Sequence, residues 1–166
     1  KAVKEVWSSS LTTLPSDKNK DEFDKISVLE RFDHQLKSSG LNTSNILKPD
    51  FNWAATDISE IRNFYKLNKY ILLFPFCSPH LTVKKWPYYN KLIELILNRY
   101  GEEYKIVTAP GPSEIKDAKD INALALLDNG KSLNISQLTS LIKDSSFVIA
   151  NDTGPAHIAA HVGAKG

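Results

Sequence analysis

The stretch Asn151-Asp152-Thr153-Gly154-Pro155-Ala156-His157 sets a carboxylate, a hydroxyl, a glycine and an imidazole directly after the apolar run Phe147-Val148-Ile149-Ala150. A strand that ends here, with a helix starting within four residues, places the backbone N–H groups of Thr153 and Gly154 at the strand's end. Such groups have no partner inside the first turn of a helix. Together with the helix dipole they attract an anion, most naturally a phosphate. Gly154 has no Cβ, so a diphosphate can come close. Asp152 can accept hydrogen bonds from sugar hydroxyls, and His157, one turn further, can donate to a phosphate or sugar oxygen. The same residues also suit a plain helix cap by Asp152 or Thr153 with His157 on the surface, and the motif alone leaves both readings open.

Two further loops have similar character. Pro75-Phe76-Cys77-Ser78-Pro79-His80 follows an apolar run and leads to Lys84-Lys85-Trp86-Pro87. There Ser78 can bond a phosphate oxygen and Lys84 can offset charge growing on a leaving group; a solvated loop with Trp86 packed in the core is the competing reading. Cys77 reads as a small buried residue, since nothing adjacent in sequence would activate its thiol. His80 has no evident partner. In Gly111-Pro112-Ser113-Glu114 the carboxylate of Glu114 suits the hydroxyls of a ribose, which donate to it. It equally suits the N-terminus of its own helix.

The elements that must carry these loops alternate. Tyr70 to Phe74 is a continuous apolar run ending at Pro75, the pattern of a strand buried on both faces. Pro87 opens a helix with Leu92, Ile93, Ile96 and Leu97 as its stripe, stopped by Gly101. A strand follows over Tyr104 to Ala109, then a helix capped by Ser113. Ala123 to Leu127 reads as a strand or as a continuation of that helix. Asn134 and Gln137 form a capping-box signature for a helix over Ile135 to Lys143, and Phe147 to Ala150 is a second buried strand. A last helix runs from Ala156 to Val162. Upstream, Lys25 to Ser39 has helical spacing with Gly40 at its end. Thr56 or Asp57 can cap a helix over Ile58 to Leu67, with Ile61, Phe64 and Tyr65 on one face. The expected fold is α/β, a Rossmann-like parallel sheet with helices on both faces, in which ligands sit at the carboxyl ends of the strands. The expected division is a polar segment over 1–25, a helical connector over 26–69 and a nucleotide-binding domain over 70–166.

Composition excludes several classes. The 166 residues are 42% hydrophobic and 24% charged, ordinary for a globular chain, and the net charge of +2 gives no case for nucleic acid. A single cysteine rules out an internal disulfide framework and fits a reducing compartment. The longest apolar run is far short of a membrane span, and the N-terminus has no signal-peptide pattern. The sequence contains no P-loop, no GxGxxG after a strand, no GxSxG elbow and no metal-ligand spacing. It has no methionine, and it ends where a further strand is expected. Both features suggest a piece of a longer protein, or a chain with stretches missing.

The order and spacing of the three loops resemble those of glycosyltransferase family 9, the lipopolysaccharide heptosyltransferases. The matching stretches are Phe74 to His80 with Lys84 to Pro87, Thr108 to Glu114, Gly130-Lys131-Ser132-Leu133, and Asn151 to Ala160. Val28 to Phe32 through Gly40-Leu41 is a looser match. The resemblance implies one half of a GT-B fold, the half that holds the donor. It implies inverting transfer of a heptose from ADP-heptose to a lipid-linked lipopolysaccharide core acceptor, with no metal and no cofactor. Carried over by position, Ser78 and Lys84 contact the donor diphosphate, Thr153 and Gly154 cradle it, Glu114 meets the nucleoside ribose, and Asp152 and His157 face the sugar. The family's general base belongs to an N-terminal domain that nothing in this sequence matches. Phe76-Cys77 stands where the family usually has a glycine. A cytoplasmic location follows, peripheral at the inner membrane. The alternatives are a GT-B transferase using a UDP- or GDP-sugar, and a non-catalytic nucleotide-sugar-binding fragment.

Overall fold

A run that buries every residue must lie between two neighbours and two helical layers, and Tyr70–Phe74 does so as strand β1. In the computed structural model, which describes residues 25–46 and 50–166, β1 is joined by β2 (Lys105–Thr108), β3 (Leu124–Ala125) and β4 (Phe147–Ala150) in the order β3-β2-β1-β4. All pairings are parallel; Leu72 lies beside Val107 on one side and Val148 on the other. The expected polar segment falls almost wholly outside the described residues, as does Pro49 of the connector.

The described chain forms two compact units, divided between Pro49 and Asp50. The first contains helix α1 (Val28–Ser38), which starts three residues later than its periodicity suggests. Ser27 and Glu30 form a capping box there that fixes the N-terminus. At its end Gly40 has φ +76°, and the amides of Gly40 and Leu41 donate to Lys37 and Leu36, a Schellman closure.

The second unit, Asp50–Gly166, takes in part of the stretch read as a connector. Helix α2 (Ser59–Phe64) is shorter than expected because Lys66 adopts φ +51° and turns the chain. Ile58, Ile61 and Leu67 join Tyr70, Leu72 and Phe74 on one face of the sheet. Phe64, expected on the buried face, is 79% exposed. Helix α4 (Ile135–Lys143), with the Asn134/Gln137 capping box in place, covers the same sheet face through Leu141 and Ile142, and α5 (Gly154–His161) does so through Ala159. The opposite face, Ile71 and Leu73, packs against α3 (Tyr89–Tyr100). The stripe of α3 is Tyr89, Ile93 and Ile96, spaced four and three, whereas Leu97 is exposed. Pro87 precedes the helix rather than opening it.

Two other expectations change. The helix after Ser113 is a turn followed by one short 3₁₀ segment, Asp117–Asp120. Its only buried residue is Ala118, too little apolar surface to hold a longer helix. Strand β4 is only partly buried, with Phe147 exposed, because it lies at the margin of the four-stranded sheet. On its outer side the Val148 amide donates to the Lys165 carbonyl at 2.7 Å.

Candidate active site

Successive strands run outward from β1 to β2 to β3, and the chain then crosses back to place β4 on the other side of β1. Where strand order reverses, between β1 and β4, the loops leaving these two strands diverge and open a crevice at their carboxyl ends. The loops after β1 and β4 are the two that carry most of the candidate residues. Together with the loop after β2 they enclose a cavity of about 340 Å³. Ser78, Glu114, Thr153 and Gly154 line it, one residue or more from each loop. Leu133, Ile135 and Leu138, at the start of α4, give it an apolar wall.

The helix α5 begins at this cavity. Thr153 is its N-cap, in extended conformation, and its hydroxyl donates to the Asn151 carbonyl rather than capping the helix. Pro155 has no N–H to offer, and the Ala156 amide already bonds the Thr153 carbonyl at 3.0 Å. The amides of Thr153 and Gly154 meet no protein acceptor among the described residues. A Cβ at Gly154 would meet nothing within 4 Å, so the backbone here is open to a ligand.

Lys84, Asp152 and His157 do not line the cavity. They form a chain of contacts beside it. Lys84 Nζ donates to Asp152 Oδ2 at 2.5 Å, and His157 Nε2 lies 3.6 Å from Asp152 Oδ1. The hydrogen bond from Lys84, its charge, and the nearby His157 hold the Asp152 carboxyl below the usual carboxylate range. Lysine and aspartate, read from sequence as contacting separate parts of a ligand, therefore contact each other. Glu114 is also engaged: its Oε2 accepts from the Gly111 amide at 2.7 Å, closing the turn. No hydrogen bond to its other oxygen is found among the described residues. Ser78 begins the 3₁₀ turns Pro79–Lys84, its carbonyl accepting from Leu81, and the Cys77 thiol donates to the Leu81 carbonyl.

Sequence reasoning gave no role to Asn151. It is 6% exposed, and its side chain bonds the loop after β1 at both ends. The one signal was its place, a side-chain amide directly after the apolar run Phe147 to Ala150.

Among the described residues no cluster of three or more His, Cys, Asp or Glu side chains is placed to hold a metal ion, and no helix is long and apolar enough to cross a membrane.

A parallel sheet with helices on both faces, and a three-loop cavity at its crossover, define a Rossmann-like α/β domain. Residues 8–165 match the profile of glycosyltransferase family 9 (heptosyltransferase), and the chain belongs to that family. No curated protein sequence matches it. Among solved structures it is similar in fold to E. coli heptosyltransferase WaaC with ADP, at 20% identity and TM-score 0.53, over 83% of this chain and 43% of that one. The same enzyme with ADP-2-deoxy-2-fluoro heptose gives 20% identity and TM-score 0.53, over 84% and 44%. E. coli ADP-heptose lps heptosyltransferase II gives 21% and 0.50, over 63% and 34%. The chain thus spans less than half the length of each.

Proposed function

We propose that this chain is the donor-binding part of a glycosyltransferase that moves a heptose from ADP-heptose to a lipid-linked lipopolysaccharide core acceptor. The observation that carries the reading is the cavity at the β1/β4 crossover, where Ser78, Glu114, Thr153 and Gly154 meet from three strand-end loops. Family membership and the ADP and ADP-sugar ligands of the WaaC structures support it. In this reading the domain is residues 70–166 together with the segment from Asp50 that packs into its core.

The free amides of Thr153 and Gly154 and the Ser78 hydroxyl bind the diphosphate, and Glu114 takes the ribose hydroxyls through its free oxygen. Asp152 and His157 face the sugar. Lys84 reaches the diphosphate only by leaving Asp152, and from there its charge offsets the negative charge that builds on the departing ADP. Inversion at the sugar carbon needs a base to take the acceptor's proton, and we assign that base to a part of the protein outside this chain. The location proposed is the cytoplasmic face of the inner membrane, where a lipid-linked acceptor would be met.

The test is thermal unfolding of the chain with ADP, UDP, GDP or CDP at equal concentration. A ligand at a hundred times its dissociation constant stabilises by about 2.7 kcal/mol, roughly 5–10 °C for a unit of this size. A shift with ADP alone is expected. A larger shift with UDP or GDP would replace the donor, and no shift with any of them would remove the site.

A further inference from the structure

We propose that Asn151 is a positioning residue: it holds both stems of the loop that carries Ser78 and Lys84 against the start of α5. The proposal rests on reading the strand-end cavity as the donor-diphosphate site. Asn151 Nδ2 donates to the carbonyls of Pro75 at 2.9 Å and Phe76 at 3.4 Å, where the loop leaves β1. Its Oδ1 accepts from the Trp86 amide at 3.3 Å, where the loop ends. The same oxygen faces the Tyr89 hydroxyl at 3.3 Å, which also lies 3.2 Å from the Phe74 carbonyl. The amide orientation follows from chemistry, because two carbonyls require the NH₂ side and a backbone N–H requires the oxygen.

No other residue type of this size supplies two donors and an acceptor at once. Aspartate would set an oxygen against two carbonyl oxygens; leucine would leave a half-buried amide and two buried carbonyls without this partner. Asn151 directly precedes Asp152, Thr153 and Gly154. One side chain therefore links the backbone of the diphosphate cradle to both ends of the loop that supplies Ser78 and Lys84. Between those stems the loop has only short 3₁₀ turns, so its placement depends on where the stems are held.

The test uses the full chain with Asn151→Asp, which keeps the shape and removes the donors, and Asn151→Ser as a second variant should the first be too unstable. Loop placement is read from Trp86 emission after Trp7 and Trp53 are replaced by Phe; Trp86 packs edge-on against Tyr89 with centroids 5.3 Å apart. ADP affinity is read by calorimetry for each variant, for Lys84→Ala, and for the double variant. A red-shifted Trp86 emission is expected, with ADP affinity lowered about tenfold or more. The double variant should bind within about twofold of the weaker single, because a loop already misplaced has little of Lys84 left to lose. Unchanged Trp86 emission in a folded variant would overturn the proposal. So would a red shift with undiminished ADP affinity, which makes Asn151 a fold staple only, or additive losses in the double variant, which mean that Asn151 does not act by placing Lys84. A different result, no ADP binding by the parent chain itself, would instead remove the diphosphate site on which the proposal rests, while the emission still reports whether Asn151 holds the loop.

Discussion

At the scale of single residues, the pairing of Lys84 with Asp152 sets a condition on donor binding. Both groups are solvent-accessible, so the contact is a weak one that a ligand can replace. A diphosphate that recruits Lys84 must draw it from a carboxylate and then sit near that carboxylate's charge. Asp152→Asn should therefore tighten ADP binding, by about two- to fivefold given the usual strength of exposed ion pairs. Lys84→Ala should weaken it by about tenfold or more, the loss expected for a charge-assisted contact. Calorimetry decides, and weaker ADP binding by Asp152→Asn would mean that the aspartate helps to hold the nucleotide. Because Lys84 depresses the Asp152 pKa, the pair persists above the usual carboxylate range and is lost only as pH falls through the depressed value. ADP affinity should show no step from Asp152 between about pH 6 and 8. The types and order of these residues were legible in the sequence, since each loop announces itself after an apolar run. Their mutual contact was not, because Lys84 and Asp152 lie 68 positions apart. Asn151 was silent for a related reason: three of the four partners of its side chain are backbone atoms of another loop, which have no sequence signature.

At the scale of elements, the proposed cradle depends on how α5 begins. Gly154 is its first residue, has an ordinary φ, and would place an added Cβ in open space. Its absence of side chain is thus not required by the fold. Gly154→Ala should leave the unfolding midpoint within about 2 °C of the parent, since it removes backbone freedom from the unfolded chain at no steric cost. It should nevertheless weaken ADP binding, because the methyl group enters the space a diphosphate would occupy beside the amides. Paired melting and titration experiments test this, and unchanged affinity would show that the phosphates do not approach here. Elements with a complete local signature fall where the sequence places them: β1 by its unbroken apolar run, α4 by its capping box, β4 by its apolar run before Asn151. Boundaries moved where a local signal competed with another. The Ser113 cap lost to the turn that Glu114 makes with Gly111, and α2 ended early at the left-handed Lys66.

At the scale of the whole molecule, sequence alternation identified a parallel sheet but not its order, since nothing local states that β4 returns to the far side of β1. That return makes β1 the axis of the domain, and two buried tyrosines fasten the helical layers to it. Tyr70, on β1, donates its hydroxyl to the Leu141 carbonyl of α4 at 2.6 Å. Tyr89, on α3, reaches the Phe74 carbonyl from the other face. Burial raises the pKa of both hydroxyls, that of Tyr89 to about 12. A phenolate in either place would face a carbonyl oxygen without a proton between them. The folded pKa exceeds the unfolded value of about 10, so this contribution is complete below pH 10 and is lost as pH rises through the folded value. Urea unfolding should thus give a stability that changes little from these two groups between pH 7 and about 9.5 and then falls. Tyr70→Phe should cost about 1–3 kcal/mol at pH 7 through the Leu141 carbonyl left unpaired, and Tyr89→Phe less, because the Phe74 carbonyl keeps the Asn151 amide. The double variant should lose less stability than the parent between about pH 9.5 and 11.5, because neither ring can then ionise. An alkaline slope in the double variant as steep as the parent's would place the titrating groups elsewhere and leave these two tyrosines with packing alone.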